Sequence, residues 1–140
     1  MRVLICGSRN WRDRDLIKQV VGALPVGSTV ITGGAPGADT IAMQEARLRG
    51  LGQQVFRADW VRYGKAAGPI RNQEMLDEGR PDLVIAFRLE GKSRGTDDMI
   101  RRAKSAGVPV EVFTRTVSDD LDIRMHKAIE QLLSVEGEAS

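Results

Sequence analysis

The sequence predicts an α/β fold: a Rossmann-like, doubly wound, parallel five-stranded sheet with helices on both faces. Three observations predict it. Short apolar or β-branched runs alternate five times with stretches of helical periodicity. Polar or glycine-containing loops follow the strands at 7–11, 33–39, 59–68 and 88–96. No internal repeat or linker interrupts the 140 residues, so one core is expected, in a single domain over 1–135 with a frayed tail at 136–140. Right-handed crossovers then leave a doubly wound sheet, whose ligands bind beyond the strand C-termini.

Arg2 to Cys6 is an apolar run and reads as a buried first strand. A polar turn, Gly7 to Trp11, follows it. Asp13 or Asp15 can open the first helix, whose apolar face is Leu16, Ile17, Val20, Val21 and Leu24, and which Pro25 and Gly27 end. Ser28 to Thr32 is the second strand. The second helix starts near Ala38, with Asp39 at its mouth in a capping position and with Ala38, Ile41, Ala42 and Ala46 as a small-residue face; Gly50 and Gly52 terminate it.

Gln53 to Ala58 is the third strand, and 59–68 reads as a long loop holding Trp60, Tyr63 and several charges. Trp60 is expected to pack or to anchor that loop. Pro69 suits the first turn of a third helix that runs on over Ile70 to Asp77 and stops at Gly79 and Pro81. Asp82 to Phe87 is the fourth strand. The fourth helix begins near Thr96 and ends at Gly107; Val108 to Phe113 is the fifth strand. Ser118 caps a last helix, with Asp119, Asp120 and Asp122 in its first turn and a buried stripe of Leu121, Met125, Ala128, Ile129 and Leu132.

Composition narrows the function classes. A formal charge of +2 is too small to imply nucleic acid by itself. Cys6 is the only cysteine, which excludes an internal disulfide and a cysteine-based zinc site, and its apolar neighbours suggest a buried thiol. No carboxylate cluster stands out as a metal site. No apolar run approaches a membrane span and no signal-peptide pattern opens the chain, so a cytoplasmic location is expected. Ser8 and Ser93 have no histidine near in sequence, and His126 falls in the last helix, so nothing supports a nucleophilic triad.

The stretch with most chemistry is Val30-Ile31-Thr32-Gly33-Gly34-Ala35-Pro36-Gly37-Ala38-Asp39. A strand enters a glycine turn and a helix leaves it. Glycines admit positive φ and close approach, and the free N–H groups of a helix start favour an anion. The spacing fits neither the Rossmann fingerprint nor the P-loop. It is either a phosphate cradle or a tight βα turn without a ligand.

Taken with the other loops, this stretch resembles the SLOG superfamily, and within it the small YspA/YpsA-related members. The residues that carry the resemblance are Val3-Leu4-Ile5-Cys6-Gly7-Ser8-Arg9, Gly33-Gly34-Ala35-Pro36-Gly37-Ala38-Asp39, Ala58-Asp59-Trp60, Tyr63-Gly64-Lys65, Ala67-Gly68-Pro69-Ile70-Arg71-Asn72 and Arg94-Gly95-Thr96. The resemblance implies a Rossmann-like domain that binds a nucleotide or nucleotide-derived ligand, of the nucleoside monophosphate or ADP-ribose/NAD type, as sensor or processor. It also implies self-association, for which the apolar helix faces would support a dimer; no cofactor is expected. Gly7, Ser8, Arg9, Gly33, Gly34, Gly37, Asp39, Lys65, Arg71, Asn72, Arg94, Gly95 and Thr96 are the expected ligand residues. Arg71 would clamp a phosphate, or would pair with Asp59 or Asp82; Asn72 would read a base or ribose, or hold a loop carbonyl.

Two relatives bracket the chemistry. The LOG-type phosphoribohydrolase pattern is only partly matched: Arg71 and Gly95-Thr96 fit, but Met99 stands at the glutamate position. Asp97 and Asp98 are candidate substitutes, with Arg71, for the catalytic groups, or they simply complement a helix dipole. The DNA-processing protein of natural transformation shares the glycine turn and Pro69-Ile70-Arg71-Asn72. It raises a third possibility, a single-stranded nucleic-acid module using Arg57, Arg62, Lys65, Arg71, Lys92 and Arg94 with Trp60 and Tyr63, although nucleic acid is not the favoured partner.

Overall fold

The five strands form one parallel sheet in the order β3-β2-β1-β4-β5. The computed structural model describes residues 1–91, 93–116, 125–126 and 128–133. In chain order the elements are β1 (Arg2–Gly7), α1 (Arg14–Gly22), β2 (Thr29–Thr32), α2 (Ala38–Leu48), β3 (Gly52–Val55), α3 (Trp60–Tyr63), a 3-10 turn (Gly64–Ala66), α4 (Ala67–Asp77), β4 (Leu83–Leu89), α5 (Arg94–Ser105) and β5 (Val110–Arg115).

Alternation along β1 divides the core into two layers. Val3 and Ile5 point to one face, where they meet Ile17 and Val21 of α1 and Ala38, Ile41, Ala42 and Ala46 of α2. Leu4 and Cys6 point to the other, where Met75 and Leu76 of α4 and Met99 and Ala103 of α5 cover them. The small residues of α2 let that helix lie close to the sheet, as their spacing predicts.

Several expectations are corrected. The stretch 59–68 is not a loop. The Asp59 carboxylate accepts the N–H of Arg62 at 3.0 Å and starts α3, and α4 already begins at Ala67. Pro69 fits as the third residue of α4, where the missing N–H has no helical partner to lose. Asp13, not Asp15, caps α1, accepting the N–H of Leu16 at 3.3 Å. Trp11, placed by its neighbours in a polar turn, is fully buried edge-on to Phe87 with ring centres 5.4 Å apart, and its indole N–H reaches the carbonyl of Asp13. Asp39 caps nothing at α2; Gly37 occupies that cap position.

The last helix is present at 125–126 and 128–133, but Met125, Ile129 and Leu132 are exposed, so the predicted stripe is not buried there. Helical spacing fixes which residues share a face, not whether anything covers it. Ser118, Asp119, Asp120, Leu121, Asp122 and the tail at 136–140 lie outside the described residues. No helix among the described residues is long and apolar enough to cross a membrane.

Candidate functional site

β1 lies at the point where the strand order reverses, since the chain winds outward from it through β2 and β3, then returns to β4 on its other side. Above the C-terminal ends of β1 and β4 opens a cavity of about 750 Å³. Its wall is built by Cys6 to Asn10 after β1, Ala35 and Asp39 after β2, Trp60, Lys65 and the first turns of α4, and Ser93 to Asp98 with Arg101 at the start of α5.

The glycine turn is filled by the chain itself. Asp39 Oδ2 accepts the N–H groups of Gly33 at 3.1 Å and Ala35 at 3.2 Å. A resident carboxylate thus occupies the place where the sequence suggested a bound anion. Gly33, Gly34 and Gly37 do not line the cavity. A side chain at Gly33 would collide with the Arg71 guanidinium, and one at Gly37 with the backbone of Ser8 and Arg9. The N–H of Ala38 is taken by the carbonyl of Ser8 at 3.2 Å. The Ser8 hydroxyl accepts the N–H of Asn10, so Ser8 serves the turn, while Gly7 is free of a side chain because Phe87 and Ala38 crowd it.

Asp39 is only 5% exposed yet lines the cavity, and its Oδ1 has no hydrogen-bond partner among the described residues. Burial pushes its carboxyl up to about 6, against the N–H bonds from Ala35 and Gly33 and the charges of Arg71 and Arg9. Beneath it, burial and the nearby Asp39 push the Cys6 thiol upward and keep it protonated.

Arg71 pairs with neither Asp59 nor Asp82. Its Nη1 donates to the carbonyls of Gly33 at 2.8 Å and Phe56 at 3.4 Å, and its Nε to Asn72 Oδ1 at 3.2 Å. Its Nη2 makes no hydrogen bond among the described residues. Asn72 is committed to the protein: its Nδ2 donates to the Gly95 carbonyl at 3.2 Å and to Asp98 Oδ2 at 3.0 Å. The Arg71-Asn72 pair therefore braces the glycine turn against the start of α5.

At that start, Ser93 does not cap; its hydroxyl donates to Leu89 instead. The N–H groups of Gly95 and Thr96 meet no acceptor among the described residues. The Thr96 side chain is 5% exposed, lines the cavity, and has no hydrogen-bond partner there among the described residues. Asp97 and Asp98, beside this point, are each paired with arginine. Asp97 is held ionised by Arg88, through a 2.7 Å bond from Nε and a 3.2 Å bond from Nη2. Burial raises the Asp98 carboxyl, but the bonds from Arg102 and Asn72 and the Arg102 and Arg101 charges outweigh it and hold it low. Two ionised carboxylates with committed oxygens are poor proton donors. Met99 is fully buried under α5 and does not reach the cavity.

The rim is cationic and aromatic. Arg9 sits 5.8 Å from the centre of the Trp60 ring, and Trp60 is 49% exposed rather than packed. Lys65 and Arg94 are exposed beside it without an ion-pair partner among the described residues. Arg62 lies over Tyr63 at 5.0 Å, and Arg57 donates to the Gly34 carbonyl at 3.2 Å. Lys92 lies outside the described residues. Sequence reasoning missed Arg101 at the wall, whose signal was its i+3 spacing from Asp98. His126 pairs with Glu130 on the last helix.

Residues 1–63 match the family model described as the YspA, cpYpsA-related SLOG family. The gene 61 protein of Mycobacterium phage D29 is 44% identical over 121 residues, a match covering 80% of this chain and 95% of that protein. Among solved structures, DNA processing protein A (DprA) from Streptococcus pneumoniae superposes with a TM-score of 0.68 at 21% identity, over 93% of this chain. The chain spans only 56% of that structure, and at that identity the likeness is one of fold.

Proposed function

The chain belongs to the SLOG superfamily, in the company of its YspA- and cpYpsA-related members, and on that premise we propose that its cavity binds a nucleotide or nucleotide-derived ligand. Membership and fold agree with a nucleotide- or nucleic-acid-related role. The observation that carries the finer reading is the start of α5, which lines the cavity without a side-chain cap and where the N–H groups of Gly95 and Thr96 and the Thr96 hydroxyl meet no partner among the described residues. Helix N–H groups there favour a phosphate, and Arg71 Nη2, Lys65 and Arg94 add positive charge around it. Trp60 offers a base a flat face at the rim.

The test is a thermal-stability and calorimetric titration with AMP, ADP-ribose and NAD. Ligand bound to the native state raises the melting temperature by mass action. A shift with AMP or ADP-ribose supports the reading; no shift and no heat with any of them overturns it. Chromatography of the same samples tests the phosphoribohydrolase alternative, which lacks a carboxylate at the Met99 position and predicts release of free base.

One observation favours a second reading. Trp60 and Tyr63 are both exposed beside Arg9, Arg62 and Lys65, an arrangement that suits stacked bases and a sugar-phosphate backbone. It predicts oligonucleotide binding that weakens steeply with salt. Binding of AMP that survives 0.5 M salt, with no binding of oligonucleotides at 50 mM salt, would exclude it.

A further inference from the structure

We infer that Asp39 Oδ1 is the ribose-reading group of the cavity, an acceptor that selects ligands presenting sugar hydroxyls next to their phosphate. The inference rests on the nucleotide reading above and specifies the ligand further.

The two polar ends of the cavity demand opposite chemistry. At the start of α5, N–H groups with no acceptor among the described residues, together with nearby cations, ask for an acceptor, and a phosphate supplies it. At Asp39 the atom without a partner among the described residues is a carboxylate oxygen, and it asks for a donor. A phosphate cannot supply one; two negative groups in contact repel. A hydroxyl can, and a bond to an ionised acceptor is among the stronger hydrogen bonds.

Geometry selects the sugar over the base. Asp39 is 5% exposed, on the cavity floor, while Trp60, the aromatic surface for a base, is 49% exposed at the rim. A nucleotide with its base at the rim and its phosphate on α5 carries its ribose between them, toward the floor. Oδ1 is also fixed in place. Its partner oxygen Oδ2 is pinned by Gly33 and Ala35 six and four residues upstream, so the carboxylate cannot rotate away. The groups that face Asp39 are Cys6 on β1, Arg9 on the loop after β1 and Arg71 on α4. Burial raises the carboxyl to about 6 against the N–H bonds of Ala35 and Gly33 and the charges of Arg71 and Arg9, so it is ionised at pH 7.5, and the protonated Cys6 thiol adds no charge beside it.

The experiment compares AMP with 2′,3′-dideoxy-AMP by calorimetry at pH 7.5, on the wild-type chain and on Asp39→Asn. The wild type binds AMP about tenfold or more tightly than the dideoxy compound. Asp39→Asn loses most of that preference and keeps its affinity for dideoxy-AMP within about threefold. Equal wild-type affinity for the two compounds overturns the inference and leaves the nucleotide reading standing. Equal loss of both compounds in the variant makes Asp39 a structural group and also overturns it. If neither compound binds the wild type, the nucleotide reading itself fails and takes the inference with it. Because the variant can misfold, wild-type titrations with 2′-deoxy-AMP and 3′-deoxy-AMP repeat the test without it: the inference requires at least one to bind several-fold more weakly than AMP.

Discussion

Asp39 Oδ2 stands 3.1 Å from the amide nitrogen of Gly33, so the turn that looks built for a foreign anion is closed by a carboxylate from its own helix. The glycines of the turn answer to protein neighbours. Gly37 has φ +81°, and a Cβ there would drive into the carbonyls of Ser8 and Arg9. Gly37→Ala should therefore cost about 2 kcal/mol of stability, from left-handed backbone strain and the displaced loop together. Denaturant titration reads this directly. A variant as stable as the wild type would show that the loop after β1 can move aside.

Ionising Asp39 costs the fold stability. Its folded value, about 6, lies above the ordinary 3.8, so between those values the folded chain holds a proton that the unfolded chain has lost. Stability from this group is therefore complete below about pH 4 and declines as pH rises toward 6, by up to about 3 kcal/mol. Asp39→Asn cannot ionise. Its stability relative to wild type should improve as the pH is raised from 4.5 to 7.5, measured by chemical unfolding at each pH. Parallel curves for the two proteins would contradict the buried, strained ionisation.

The fold is legible in the sequence because β1, β2, β4 and β5 carry apolar or β-branched runs and α1, α2 and α5 carry an apolar face; β3, with one β-branched residue, and α3, inside an expected loop, are the weak points. What escaped was tertiary. Nothing local says that Asp39 turns back to Gly33 rather than capping α2, because the choice depends on how the turn folds over it. Trp11 and Trp60 exchange their expected places for the same reason. Trp11 ends an expected polar turn but drops onto Phe87, while Trp60, expected to pack or to anchor a loop, is carried to the cavity rim by the helix that Asp59 initiates. Of the candidate site, the loops that line the cavity, Arg71 among their residues, are readable in the sequence. That Asn72 braces α5 is not readable locally, because one amide can hold a carbonyl or read a ligand until Gly95 and Asp98 are seen beside it.

The Asn72-Asp98 brace sets the position of α5. Asp98→Ala leaves Arg102, Arg101 and Asn72 without their shared acceptor in a partly buried place, and should cost about 1–3 kcal/mol. The native carboxyl is held below its ordinary value, so its contribution is full at neutral pH and is lost as the pH falls through the acid range. Wild type and variant should therefore converge in stability on acidification. A gap that persists at pH 3 would place the effect in packing instead.

Cys6 lines the cavity floor but is held protonated, and it is 8% exposed. Only the thiolate attacks electrophiles. Native protein at pH 8 should react with iodoacetamide far more slowly than the same protein in guanidinium chloride, followed by mass spectrometry. Equal rates would mean that the floor opens to solvent readily.

Thr96 and Ser93 separate ligand binding from folding within one turn of helix. The Ser93 hydroxyl is buried and donates to the Leu89 carbonyl at 2.8 Å, so it works for the protein. The Thr96 hydroxyl has no partner among the described residues, and valine keeps its branched shape. Thr96→Val should leave unfolding free energy within about 0.5 kcal/mol of wild type and weaken AMP binding about five- to tenfold, the loss of one hydrogen bond to a charged group. Ser93→Ala should do the reverse, costing about 1 kcal/mol of stability with a smaller change in affinity. Paired measurements of unfolding and calorimetric affinity on the two variants give four numbers. If Thr96→Val leaves AMP affinity unchanged while Ser93→Ala abolishes it, the phosphate does not sit on the start of α5, and its place must be sought along the cationic rim at Arg9, Lys65 and Arg94.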